Sequence, residues 1–133
     1  MGYAGDLTPE QAWQMVADGT GVLVDVRTEA EWRFVGVPDL TSTGRELVRI
    51  EWVDGEGRRN PRFGAEVAAA TQGRPAIFLC RSGQRSAAAA QAVTGAGLAP
   101  AYNVTDGFEG GLDSTGHRGT TGWRAVGLPW RQT

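Results

Sequence analysis

The only cysteine of the 133-residue chain, Cys80, lies at the junction of two kinds of sequence. The apolar run 76–79 before it is typical of a strand, and the alanine-rich stretch 85–96 after it is typical of a helix. A thiol at such a junction faces backbone N–H groups and the positive end of the helix dipole, which favours the thiolate over the thiol. The pattern therefore predicts a nucleophile at residue 80.

A free cysteine after three apolar residues is more often a small buried hydrophobe. The segment that follows Cys80 argues against that interpretation, because it is polar, carries two cations and contains a glycine that can turn backbone amides towards an anion. We therefore predict that this segment is a substrate-binding and anion-binding loop. Its predicted members after the cysteine are Arg81, Ser82, Gly83, Gln84, Arg85 and Ser86.

Apolar segments alternate in type along the chain, which is the pattern of an α/β fold. The continuously apolar run 22–26 predicts a strand buried on both faces of a parallel sheet. No repeat or linker divides the chain, so we expect one domain over residues 1–133 with its core at about 7–129. Further strands are predicted at 47–53, 76–79 and 101–104, and helices from Thr8 to Gly19 and at 28–34, 63–71 and 85–96.

Composition and charge narrow the class of partner. Thirteen basic and fifteen acidic residues leave a net charge of −2, which offers no basic surface for nucleic acid or a membrane. One cysteine and one histidine do not make a zinc site, so we expect neither metal nor cofactor, and we expect His117 to be a solvated loop residue. A lone thiol without a signal sequence or a membrane-length apolar run predicts a cytoplasmic protein.

Three segments, in this order, resemble the signatures of the single-domain rhodanese (thiosulfate sulfurtransferase-like) family. They are residues 23–27 with Glu29, Glu31 and Trp32, the loop 80–86, and the Gly-rich turn 103–111 followed by Trp123 and residues 127–129. The resemblance runs from about residue 7 to residue 129. It implies a five-stranded, mainly parallel sheet flanked by helices on both faces, with the cysteine loop at the carboxyl ends of the strands.

The resemblance also implies an enzyme that transfers sulfur. A sulfurtransferase of this kind would move a sulfane sulfur from thiosulfate or a similar small donor to a thiophilic acceptor through a persulfide on Cys80. The amides of residues 81–86 would stabilise the thiolate and the persulfide. Arg81 would steer the anionic donor, Arg85 would hold either an oxyanion or the loop itself, and Ser86 would either hydrogen-bond the sulfur or cap the helix.

Three further residues are expected to support the loop rather than to react. Asp25 ends a predicted strand, where a carboxylate commonly accepts from backbone donors. Arg27 is expected to pair with an acid such as Glu31. Phe108 lies in the Gly-rich turn and is expected at the rim of the pocket.

Two other functions remain open. A persulfide carrier in a protein sulfur relay, with a sulfur-relay protein as its partner, would need the same cysteine and the same amides. An oxyanion hydrolase is disfavoured, because related phosphatase loops have one more residue than the four between Cys80 and Arg85. Residues 34–40 depart from the His-Ile-Pro-Gly-Ala type of segment that many family members have at this point.

Overall fold

A computed structural model describes residues 2–132 of the chain. The strands in these residues are β1 (Gly5–Leu7), β2 (Val22–Asp25), β3 (Val37–Pro38), β4 (Val48–Arg49), β5 (Ala76–Leu79), β6 (Ala101–Val104) and β7 (Trp130–Arg131). Five of them form one parallel sheet in the order β1-β6-β5-β2-β4. A separate antiparallel ribbon pairs β3 with β7.

Four α-helices connect the strands: α1 (Pro9–Ala17), α2 (Glu29–Phe34), α3 (Phe63–Thr71) and α4 (Gln84–Gly95). Thr8 and Thr28 cap α1 and α2, each in a reciprocal capping box with the third helical residue. These caps confirm two helix starts that the sequence predicts. No helix in the described part of the chain is long and apolar enough to cross a membrane.

The core lies on both faces of the sheet, because alternate residues of each buried strand point in opposite directions. Phe78 and Cys80 face the layer formed by α3 and α4, whereas Ile77 and Leu79 face the layer that contains α1. All four residues of β5 are fully buried. The predicted α/β fold, with a five-stranded sheet and helices on both faces, is confirmed, and the sheet is parallel throughout.

One predicted strand is shorter in the structure than expected, and the strands β1, β3 and β7 have no counterpart among the predicted strands. The segment 47–53 forms a regular strand only at Val48–Arg49. Beyond it, the backbone N–H groups of Ile50 and Trp52 each make one hydrogen bond to the chain at the end of β2, and both side chains are buried in the core. The ribbon of β3 and β7 has no counterpart in the predicted elements. It joins segments that lie more than ninety residues apart in the sequence, as in the pair Val37 and Arg131.

Candidate active site

The predicted nucleophile lies at the carboxyl edge of the sheet, directly after β5. Helix α4 begins at Gln84, and Gly83 precedes it with φ of +108°, in the left-handed region that glycine adopts without strain. This turn brings the Gly83 N–H to 3.1 Å from the Cys80 Sγ. The strand, the turn and the helix start therefore aim a backbone donor at the sulfur, as the sequence predicts.

Ser86 supplies the second polar contact of the sulfur. Its Oγ lies 3.1 Å from the Cys80 Sγ, and both residues are buried, with only 1% of Cys80 exposed. The N-terminal cap of α4 is Gly83, and no side chain caps this helix. Of the two roles that the sequence leaves open for Ser86, the structure supports the contact with sulfur.

Arg85 in the first turn of α4 is held by Glu31 on α2. Its two terminal nitrogens donate to the two carboxylate oxygens of Glu31 at 2.7 and 2.9 Å. Burial alone would raise the pKa of Glu31, but the hydrogen bonds from Arg85 and Thr28 outweigh it and hold the pKa at about 2. Of the two roles predicted for Arg85, the ion pair supports the one that braces the loop.

Replacing Glu31 with Gln tests this brace. We expect the free energy of unfolding to fall by about 1–2 kcal/mol at pH 7, since a half-buried charge pair is lost. The pKa of Glu31 lies at about 2 in the folded chain and near 4.5 otherwise, so its contribution is complete above pH 4.5 and disappears as the pH falls towards 2. Urea unfolding of E31Q and wild type across this pH range measures how far their free energies of unfolding converge as the pH falls.

Glu29→Gln is the matched control, because Glu29 lies on the same helix and is exposed. The E29Q variant should unfold as the wild type does at every pH in the series. An E31Q deficit that stays constant from pH 7 down to pH 3 would show that the charge of Glu31 is not what stabilises the fold.

Asp25 and Arg27 form a second, fully buried ion pair beneath the loop. Arg27 Nη2 lies 2.7 Å from Asp25 Oδ2, and Arg27 Nε lies 2.9 Å from Oδ1. Asp25 also accepts from the backbone N–H of Arg27, as expected of a carboxylate at a strand end. Arg27 pairs with an acid, as expected, but this acid is Asp25 and not Glu31, which binds Arg85 instead.

Phe108 supports the cysteine loop through a backbone hydrogen bond and through its ring. Its backbone N–H donates to the Cys80 carbonyl at 2.8 Å, and its ring lies 4.4 Å from the guanidinium carbon of Arg27. The side chain is fully buried, so Phe108 does not lie at the rim of a pocket as the sequence predicts. Among the described residues Arg27 Nη1 has no hydrogen-bond partner, and the face of the Phe108 ring provides a favourable contact for this buried cation.

Comparison with known proteins agrees with the fold. The family model described as Rhodanese-like domain matches residues 8–114, which is most of the chain. The chain belongs to the rhodanese-like domain family. This family is of the sulfurtransferase type.

Relatives of this rhodanese-like chain extend over nearly its full length. It is 64% identical to the Mycobacterium tuberculosis protein Rv0390, whose crystal structure superposes with a TM-score of 0.90 over 99% of this chain and all of that one. An uncharacterized protein of Rickettsia conorii is 32% identical over 120 residues, 88% of either chain. A rhodanese-like domain protein of Staphylococcus aureus shares 19% identity, with a TM-score of 0.58 over 93% of this chain and 95% of that one, which shows a common fold.

The remaining predicted members of the rhodanese-like loop lie at its outer side. Arg81 and Gln84 are exposed, and Ser82 is half-buried. His117 is exposed in a surface loop, where its Nδ1 lies 2.9 Å from Thr115 Oγ1. Within residues 2–132 no three His, Cys, Asp or Glu side chains are grouped so as to hold a metal ion.

Sequence reasoning missed two residues of the site. Gly107 approaches the loop so closely that a Cβ there would lie 2.6 Å from the carbonyl carbon of Arg81. Asn103 is buried in β6 and accepts from Ser86 Oγ at 2.6 Å. An asparagine at an inward position of a predicted strand is a detectable signal, since a buried amide needs polar partners.

Proposed function

We propose that the protein is a sulfurtransferase that moves a sulfane sulfur from thiosulfate or a similar donor to a thiophilic acceptor through a persulfide on Cys80. The Cys80 thiolate attacks the outer sulfur of thiosulfate, and the sulfur–sulfur bond of the donor breaks as sulfite leaves with the electron pair. A nucleophilic acceptor such as cyanide then attacks the terminal sulfur of the persulfide. Thiocyanate forms, and the thiolate is restored.

The placement of the Cys80 sulfur carries this proposal. The Sγ atom lies at the start of a helix, 3.1 Å from a backbone N–H and 3.1 Å from a hydroxyl. The backbone N–H stabilises negative charge on sulfur without supplying an acid or a base, and the hydroxyl adds a second donor when its proton turns towards the sulfur. Sulfur transfer needs this stabilisation, because the attacking Cys80 thiolate and the Cys80 persulfide are both anions.

The ion pair between Arg85 and Glu31 favours sulfur transfer over hydrolysis of a phosphate ester. In a hydrolase of the oxyanion type, an arginine of the cysteine loop would donate to the oxygens of the substrate. Here both terminal nitrogens of Arg85 are bound to the carboxylate. Arg81, exposed on the same loop, is the cation that we assign to steering the anionic donor.

Intact-mass measurement after incubation with thiosulfate tests the proposal. We expect the wild-type protein to gain one sulfur, about 32 Da, and to lose it again when cyanide is added. The reason is that the terminal sulfur of a persulfide is electrophilic towards cyanide, whereas a sulfonate or sulfinate on cysteine is not.

Two variants control the measurement. Cys80→Ala should show no gain, since Cys80 is the only cysteine of the chain. Arg118→Ala, a change in a surface arginine that contacts the Gly110 carbonyl, should load as the wild type does. A folded wild type with a free thiol that gains no sulfur would contradict transfer from thiosulfate and favour a carrier charged by a protein partner.

A further inference from the structure

A row of four hydrogen-bonded side chains leads from the edge of the sheet to the reactive sulfur. Asp6 on β1 lies opposite Asn103 on β6 in the strand register, and Asn103 Nδ2 lies 3.1 Å from Asp6 Oδ1. Asn103 Oδ1 lies 2.6 Å from Ser86 Oγ, which in turn lies 3.1 Å from the Cys80 Sγ. We call these four residues the polar row.

The chemistry of Asp6 sets the direction of the hydrogen bonds along the polar row. A carboxylate only accepts, so the amide NH₂ of Asn103 faces Asp6 and its carbonyl oxygen faces Ser86. That oxygen also only accepts, so the Ser86 hydroxyl donates its single proton to Asn103. The Ser86 oxygen is then left to accept from the thiol of Cys80.

The arrangement changes when Cys80 is ionised. A thiolate has no proton to give, so it needs donors, and the Gly83 N–H remains one of them. Ser86 becomes the second only when its hydroxyl turns from Asn103 to the sulfur. The Asn103 carbonyl oxygen and the sulfur therefore compete for one proton.

We propose that Asn103, oriented by Asp6, is a positioning residue that draws the Ser86 proton away from the sulfur and so limits how far the loop stabilises the thiolate. The benefit follows from thiol chemistry, because the nucleophilicity of a thiolate falls as the thiolate is stabilised. This inference rests on the proposed function in one respect, that Cys80 is the nucleophile.

The Asp6 end of the polar row is also held in place by a hydrogen bond. The Tyr3 hydroxyl donates to Asp6 Oδ1 at 2.8 Å. This hydrogen bond raises the pKa of Tyr3, so the phenol stays protonated and keeps donating to the carboxylate. Two donors on one oxygen leave the carboxylate of Asp6 little freedom to release the amide of Asn103.

The charged groups around the sulfur lie on elements other than β1 and β6. Arg85 lies on α4, and its pKa is raised first by the hydrogen bond to Glu31 on α2 and further by Cys80 and by Asp25 at the end of β2. Arg81 is exposed on the loop itself. Substitutions in β1 and β6 leave all four of these charges in place.

The test is the pH dependence of the reaction of Cys80 with methyl methanethiosulfonate, followed by intact mass. This small reagent reacts with the thiolate to form a methyl disulfide and release methanesulfinate. We expect Asn103→Leu and Asp6→Leu each to move the midpoint of the pH–rate profile about 0.5–1 pH unit lower, since Ser86 is free to donate to the sulfur.

Two comparisons separate this role from a structural one. In a Ser86→Ala background, Asn103→Leu should leave the midpoint where S86A alone puts it, because the proton in competition is gone. Asp6→Asn removes the same charge as Asp6→Leu but keeps an oxygen that accepts from Asn103. The D6N shift should therefore be less than half the D6L shift.

Equal shifts in D6L and D6N, or an undiminished effect of Asn103→Leu in the S86A background, would overturn the inference. Asp6 is exposed on an edge strand, so the D6L variant keeps the test decisive even when N103L does not fold. The reagent needs no sulfane sulfur. A failure of this inference is thus distinguishable from a failure of sulfur transfer, which the thiosulfate experiment measures separately.

Discussion

Replacing Arg27 with Met should lower the free energy of unfolding by about 3–5 kcal/mol, because it leaves the Asp25 carboxylate buried without its partner. Both side chains of this pair are fully buried. The guanidinium also donates to the Gly36 carbonyl at 2.8 Å, so that oxygen loses a donor as well. Urea unfolding at pH 7 measures the change.

Two further variants define what the R27M result means. The double change Asp25→Leu with Arg27→Met removes both buried charges and should recover part of the lost stability. Arg58→Met breaks a pair with Asp54 in which the arginine is 73% exposed, and it should cost less than about 1 kcal/mol. An R27M cost as small as that of R58M would contradict the importance of the buried pair.

Replacing Gly107 with Ala should disrupt the cysteine loop from outside it. Gly107 has φ of +57°, and an added Cβ would collide with the Cys80 carbonyl oxygen and lie 2.6 Å from the Arg81 carbonyl oxygen. These are backbone atoms, so no side-chain rotation relieves the contact. We expect a loss of more than about 2 kcal/mol in the free energy of unfolding. Loading of Cys80 by thiosulfate should slow by about tenfold or more, since the sulfur no longer meets its donors.

Gly116→Ala is the matched control for the collision. Gly116 also has a positive φ, +82°, but no atom lies within 4 Å of an added Cβ. G116A should therefore lose only the conformational part of the free energy of unfolding, about 1 kcal/mol. Its Cys80 should be loaded by thiosulfate at the wild-type rate. The collision would be excluded as the cause if G107A and G116A lost equal stability and loaded equally fast.

Local sequence patterns predict most of this fold. Helix α3 begins and ends where its pattern does, at Phe63 and Thr71, and the apolar run before Cys80 is β5. These elements are set by burial and by turn residues within a few positions. The β3–β7 ribbon is different, because two-residue strands carry too little pattern to be recognised and pair across most of the chain.

The partners of charged residues were harder to predict than the residues themselves. The sequence indicates that Arg27 and Arg85 matter, but it offers Glu31 as the example of an acid for Arg27. Which acid lies beside which arginine depends on how α2 is placed against the start of α4, a contact between residues 54 positions apart. The Asp6–Asn103 contact spans 97 positions and depends on β1 pairing with β6. Local spacing contains no information on either contact.

In the proposed persulfide state, the 1% exposure of Cys80 would determine which sulfur atom an acceptor meets. In a persulfide the terminal sulfur lies about 2 Å beyond the one bonded to carbon. Because Cys80 itself is 1% exposed, the inner sulfur would be shielded and the outer sulfur would be the point of attack. In the proposed reaction an incoming thiol would therefore carry the outer sulfur away, rather than form a mixed disulfide that would trap the protein on its acceptor.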